Sequence, residues 1–261
     1  GVVVANPYII EFIRNRFPVL KVYVSTLSNV NSLDKAIFYQ GMGCEGLHLP
    51  EYINRDFKLL KELKKAVTCD ISLTVNLCCL LQCPMRDYHA NFISHSGESL
   101  DRGCYVDYSL MKCTQLKLLH TVELLKATWI RPEDLAAYEA IGIDTFKISG
   151  RVEQLPWILR AIEAYSKRSY NGPLNDLLSG LEDIDPFGAF PYKIDNPNLN
   201  GFLKFFTEEK CSLNCDSCGY CQQWVEKAIK PIENQQDYQK RLEHTLNTFT
   251  SGNFRAPMAR K

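Results

Sequence analysis

Four short apolar runs, "GVVVAN", "LKVYVST", "CEGLHLP" and "DISLTVNL", recur roughly every 20–25 residues in the opening part of the chain. The stretches between them carry helical spacing. "PYIIEFIRNRF" takes Pro7 in its first turn, and "NSLDKAIFYQG" places Leu33, Ala36 and Ile37 on one face before stopping at Gly41. "NRDFKLLKELKKAV" aligns Phe57, Leu60, Leu63 and Val67. Further on, "ATWI" and "IDTFKISG" read as strands, and "RPEDLAAYEAIG" and "EQLPWILRAIEAYSKRSY" as helices. Strands joined through helices run parallel, and buried parallel strands are nearly all apolar. The fold class is therefore α/β. No glycine-rich phosphate turn follows the first strand, which disfavours the nucleotide-binding doubly wound sheet. The expected architecture is a TIM-like (β/α) barrel lacking its first strands, since about six can be counted. The chain opens inside a strand at Gly1, as expected of a sequence that starts part-way into a longer protein.

The organisation expected is a barrel core over 1–170 with a cysteine-bearing insertion at 76–126. A linker and a cysteine-rich C-terminal extension follow over 171–261. The insertion begins where the fourth strand ends, the edge at which βα proteins build their sites. Thirty basic and thirty acidic residues cancel, which argues against a general electrostatic grip on nucleic acid or an anionic membrane. No apolar run reaches the roughly 18 residues that span a bilayer.

Eleven cysteines in 261 residues are many, and the number is odd. A long, periodic chain is unlike the short secreted disulfide scaffolds, so these thiols point to metal in a reducing, cytoplasmic compartment. The first group is Cys78, Cys79, Cys83, Cys104 and Cys113. Cys79 and Cys83 can meet at one metal, with Cys104 and Cys113 returning from the insertion. Four thiolates suit zinc or an iron–sulfur cluster, and the irregular spacing favours the cluster. The second group, "CSLNCDSCGYC", holds Cys211, Cys215, Cys218 and Cys221 within eleven residues. Such density signals metal; a second cluster, zinc, or ligands lent to the first group are the alternatives.

Other candidates sit at strand ends. Lys147 and Arg151 can hold carboxylate or phosphate, or pair internally with Glu133 or Asp134, with Glu51 as a candidate counter-ion. Arg86, His89 and His95 follow the first cysteines, where an imidazole can donate a proton, bind substrate or simply cap a loop. His48 alternates with Leu47 and Leu49 on a strand, and Asn76 and Ser25 end strands.

"VNLCCLLQCPMRDYHANFISH", "DYSLMKC" and "WIRPEDLAAYEAIGIDTFKISGR" together resemble the peptidase U32 family, also called collagenase-like proteases, over about residues 1–170. The resemblance implies a TIM-like barrel with a [4Fe–4S] cluster held by Cys79, Cys83, Cys104 and Cys113. It further implies oxygen-independent hydroxylation, in some members with the anion prephenate as oxygen donor, on substrates that include RNA and small molecules. Cys78 departs from the family's single cysteine at that point. No H-E-x-x-H or Ser/His/Asp order supports the older peptidase name. Three functions are therefore expected in order: an iron–sulfur redox enzyme, a collagenase-like peptidase acting on peptide, and a non-catalytic metal-binding scaffold. A partner chain supplying the missing strands is a further expectation.

Overall fold

The computed structural model describes residues 1–98, 107–150, 153–181, 187–232 and 234–252. The elements run β1 (Val2–Val4), α1 (Pro7–Arg16), β2 (Val22–Val24), α2 (Leu33–Gly41), β3 (Gly46–His48), α3 (Phe57–Ala66) and β4 (Asp70–Thr74). The insertion supplies α4 (Arg86–Glu98), α5 (Tyr108–Leu119) and α6 (Glu123–Lys126). Then come α7 (Leu135–Glu139), β5 (Thr145–Lys147), α8 (Leu155–Lys167), β6 (Tyr192–Ile194) and α9 (Lys204–Thr207). The chain closes with α10 (Cys215–Cys218), α11 (Tyr220–Ala228), β7 (Ile229–Pro231) and α12 (Gln235–Thr250).

Local chemistry starts these helices. Asn6 caps α1 by accepting the Tyr8 N–H, Ser32 caps α2 at Lys35, and Asp56 caps α3 at Leu59. In α3 the spacing of Phe57, Leu60 and Leu63 buries one face and leaves the lysines outside.

β1 to β5 form one parallel sheet in sequential order, with Val2 opposite Val22, Gly46 opposite Asp70 and Thr74 opposite Lys147. A Cβ on Gly46 would stand 2.7 Å from the Tyr23 ring, which lies across it in the register. The core joins Val22, Val24, Leu47, Leu73, Leu60 and Leu63, all essentially inaccessible. Each such side chain contributes about 1.5–3 kcal/mol of burial.

The α/β class and the parallel sheet are as expected, but a barrel is not confirmed: closure needs two neighbours for every strand, whereas among the described residues β1 and β5 of the five-stranded sheet have one each. Two other expectations change. "ATWI" is no strand: only the Ile130 N–H reaches a strand end, at Val75 O (2.7 Å), while Trp129 and Ile130 are buried as packed loop. The stretch expected as a linker after residue 171 is packed instead. Leu174, Leu177, Leu178, Leu199 and Phe202 belong to the common core, and β6 pairs antiparallel with β7. The C-terminal helices lie on the insertion, α12 on α5 and α11 on α6. Among the described residues no helix is long and apolar enough to cross a membrane.

Candidate active site at the carboxyl edge of the sheet

Because all five strands are parallel, their carboxyl ends converge on one edge. There Leu27 after β2, Glu51 after β3, Cys79 and Cys83 after β4, and Ser149 after β5 line a cavity of about 500 Å³. Its outer wall comes from α4 and α5.

The exit of β4 is held tightly. Asn76, fully buried, donates to Ser149 O (2.9 Å) and Leu177 O (3.1 Å) and accepts the Ser149 N–H (2.7 Å). Ser179 N–H donates to Asn76 O, and Cys78 N–H to Ser179 O, each at 2.8 Å. Asn76 is thus a structural latch. Cys78 is wholly buried and Cys79 only partly, a difference that the doubled cysteine in the sequence left open. Gln82, at φ 51°, turns the chain so that Cys83 returns to the same cavity.

On α5, Ser109, Cys113 and Lys117 are spaced by four and share the face turned to the cavity. Lys117 is 1% exposed; its Nζ donates to Gly180 O (3.0 Å) and to the Cys113 thiol. Burial pulls this ammonium down, but the sulfurs of Cys78, Cys113 and Cys79 outweigh it and hold Lys117 above its ordinary value. Burial pushes the bare Cys79 and Cys83 thiols up. The two effects are linked: a buried ammonium keeps its proton only to the extent that a neighbouring sulfur is anionic. Ser109 Oγ is buried and has no hydrogen-bond partner among the described residues.

Arg86 is fully engaged. Its Nε and Nη2 donate to the two oxygens of buried Glu51 (2.8 and 3.0 Å), and Nη1 to Asn29 Oδ1 (2.8 Å). Glu51 is therefore the counter-ion of Arg86. His89 Nε2 lies 2.8 Å from Asp107 Oδ2, while Asp107 Oδ1 accepts the Leu110 N–H and caps α5. Burial alone would raise Asp107; His89 and the backbone N–H groups overcome it and set its carboxyl below the ordinary range. This pair joins α4 to α5.

Lys147 ends β5, exposed, near His48. His48 meets Ser72 Oγ and stacks on Tyr23; burial, then the charge of Lys147, lowers its imidazole. Glu133 accepts from the Tyr170 N–H and from Asn196, and Asp134 binds Arg131. Ser25 caps a short turn at Leu27. Cys104, Arg151 and the His95 side chain lie outside the described residues. Lys117, Ser109 and Asp107 escaped the sequence reading, although the S-x3-C-x3-K spacing carried the signal.

The second cysteine group is separate. Cys211, Cys215, Cys218 and Cys221 line one cavity of about 280 Å³, and three of them also line an adjoining one of about 440 Å³. The latter is shared with Arg55, which emerges after β3 four residues beyond Glu51. Among the described residues, no three His, Cys, Asp or Glu side chains stand close enough together to hold a single metal ion.

Fold and site define a parallel α/β protein with a thiol-lined cavity at the carboxyl edge of its sheet. The chain matches the model of Peptidase family U32 over residues 1–171 and belongs to that family. It is 35% identical over 234 residues to "Uncharacterized protease MJ1657" of Methanocaldococcus jannaschii, covering 88% of this chain and 66% of that protein. It is 24% identical over 178 residues to "tRNA hydroxylation protein P1" of Bacillus subtilis, covering 64% and 42%. The chain thus spans 66% and 42% of the lengths of these curated relatives. The solved structure of the U32 peptidase Mk0906 aligns over 42% of this chain and 44% of that one, with 23% identity and a TM-score of 0.37.

Proposed function

We propose that the edge cavity holds an iron–sulfur cluster and that the chain belongs to an enzyme of oxygen-independent redox modification, hydroxylation being the reaction. The observation that carries this reading is geometric: a buried lysine, Lys117, lines one cavity with Cys78, Cys79, Cys83 and Cys113. Thiolates are the soft donors that iron–sulfur chemistry uses. Their negative charge answers a cation that is otherwise costly to bury. Ser109 Oγ, without a hydrogen-bond partner among the described residues, lies on the same wall.

In this reading Cys79, Cys83 and Cys113 ligate, with Cys104 as fourth. A cluster held by these thiols would relay single electrons from the substrate, which hydroxylation oxidises, to an anionic cosubstrate that gives up its oxygen and is reduced. Lys117 balances charge and donates to Cys113. Glu51 and Arg86 hold the mouth of the cavity, and His89, oriented by Asp107, moves a proton. Lys147 and Arg151 hold an anionic cosubstrate. The relative named for tRNA hydroxylation supports the reaction class and makes RNA the first substrate to test.

The test is anaerobic purification with iron and sulfide analysis, visible spectra, and mass spectrometry of RNA incubated with the protein. About four iron and four sulfide per site are expected, lost in Cys79→Ala and Cys113→Ala. Full RNA-modifying activity in Cys79→Ala refutes the reading.

A second reading is favoured by one observation: the His89–Asp107 pair lines the same cavity as Cys83 and Cys113. A thiol, an imidazole and a carboxylate are the parts of a cysteine peptidase. Iron-free protein that cleaves denatured collagen, and loses that activity in His89→Ala, establishes it.

A further inference from the structure

Four thiols in the C-terminal extension are organised by local backbone geometry. Cys215 and Cys218 are the ends of α10, three residues apart on one helical turn. Gly219, at φ 64°, ends that helix and begins α11, so that Cys221 falls in its first turn. Leu213 also has positive φ, 60°, and redirects the chain between Cys211 and Cys215. A bulky residue in that region costs of order 1–3 kcal/mol and persists where its surroundings hold it. The result is one cavity, about 280 Å³, walled by all four cysteines.

A buried cation from elsewhere in the fold supplies an independent observation. Arg55 is 7% exposed and its guanidinium lies 4.6, 5.0 and 5.1 Å from the rings of Trp129, Phe202 and Phe206. Nη1 donates to Leu125 O and Nη2 to Trp129 O (3.4 Å). Its Nε has no partner, and no carboxylate forms an ion pair with it among the described residues. Arg55 lines the adjoining cavity together with Cys211, Cys215 and Cys221. A buried cation is normally paired with an opposite charge. Protonated thiols are neutral, and so are disulfides; neither answers Arg55. Metal-bound thiolates are anionic.

We propose that Cys211, Cys215, Cys218 and Cys221 ligate a metal centre of their own, a tetrathiolate site whose negative charge is balanced by the buried Arg55. The ligand is a thiophilic metal, present as zinc or as the iron of a cluster. Bound there, it clamps α10, α11 and the preceding loop together, and α11 packs on α6 of the insertion. The site does not require the edge cavity to hold a cluster.

The decisive material is the full chain with the edge thiols removed, Cys79→Ala/Cys83→Ala/Cys113→Ala, beside the wild type and Cys215→Ala/Cys218→Ala. Elemental analysis is expected to find one metal centre retained in the edge variant and lost in the tail variant. Zinc without sulfide marks one form; iron with matching sulfide marks the other. If the edge reading fails, wild type and edge variant carry equal metal and the tail variant none. Arg55→Met is expected to release metal to a chelator on the order of 10–100-fold more readily than wild type. A measurement on unmodified protein guards against misfolded variants. Cys218 is exposed, and as a metal ligand it resists alkylation until a chelator is added. Prompt alkylation of Cys218 in the native protein, or wild-type metal content in the tail variant, overturns the proposal.

Discussion

The edge cavity and the C-terminal extension each gather cysteines, but they do so by different means. In the edge cavity Cys79, Cys83 and Cys113 come from the exit of β4 and from α5, and the fold brings them together. In the extension four thiols within one short segment are turned towards one cavity by two tight turns. The edge group keeps its cation, Lys117, on the same helix as a thiol, whereas the tail group borrows Arg55 from the exit of β3. Glu51 and Arg55, four residues apart on that exit, serve the two regions separately. The edge site therefore depends on sheet and helix packing together, and the tail site on its own backbone plus one borrowed charge.

The comparison breaks most readily at the thiols. Cys113→Ala is expected to lower iron retention at the edge by on the order of 100-fold or more and to leave tail metal unchanged, as elemental analysis of the variant beside the wild type reads. Loss of both metals together would mean a single shared site.

The Glu51–Arg86 pair comes next. Glu51→Gln leaves a largely buried guanidinium without its partner, an expected loss of about 3–5 kcal/mol in denaturant unfolding. Glu51→Gln/Arg86→Met should recover most of it. Equal stability of the two variants would show that the pair adds nothing.

Lys117→Met sharpens the contrast by its sign. In metal-free protein, replacing a buried cation is expected to be neutral or stabilising by about 1–4 kcal/mol. In loaded protein the same change should weaken metal retention by about 10–100-fold. A uniform destabilisation in both states would make Lys117 a packing residue.

The smallest effect belongs to the latch between α4 and α5. Asp107→Ala is expected to cost about 1 kcal/mol through the lost cap and His89 contact. Asp107 titrates below its unfolded value, so its contribution is complete above the ordinary carboxylate range. It fades as pH falls through the folded value. Unfolding curves of wild type and variant should therefore converge in acid; a gap that persists at low pH would assign the effect to the cap alone.

These residues also show what a sequence discloses. The βα repetition was legible because buried parallel strands are uniformly apolar, and helix bounds were legible from Pro7 and Gly41, whereas the Asn6, Ser32 and Asp56 caps showed only in the structure. "ATWI" misled because a packed loop and a buried strand present the same short apolar run. The segment after residue 171 was hidden by its Gly, Pro, Asn and Asp, although Leu174, Leu177 and Leu178 are core residues. The tail thiols announced themselves by density. Lys117 did not, because lysine reads as solvent-facing until α5 is docked and its Ser109–Cys113–Lys117 stripe is seen to face inward.

The most direct measurement is iron and acid-labile sulfide per chain in anaerobically prepared wild type and Cys113→Ser. The account predicts iron with matching sulfide in the wild type, and loss of one cluster's worth in the variant while tail metal stays. Identical iron and sulfide contents in the two proteins would contradict it.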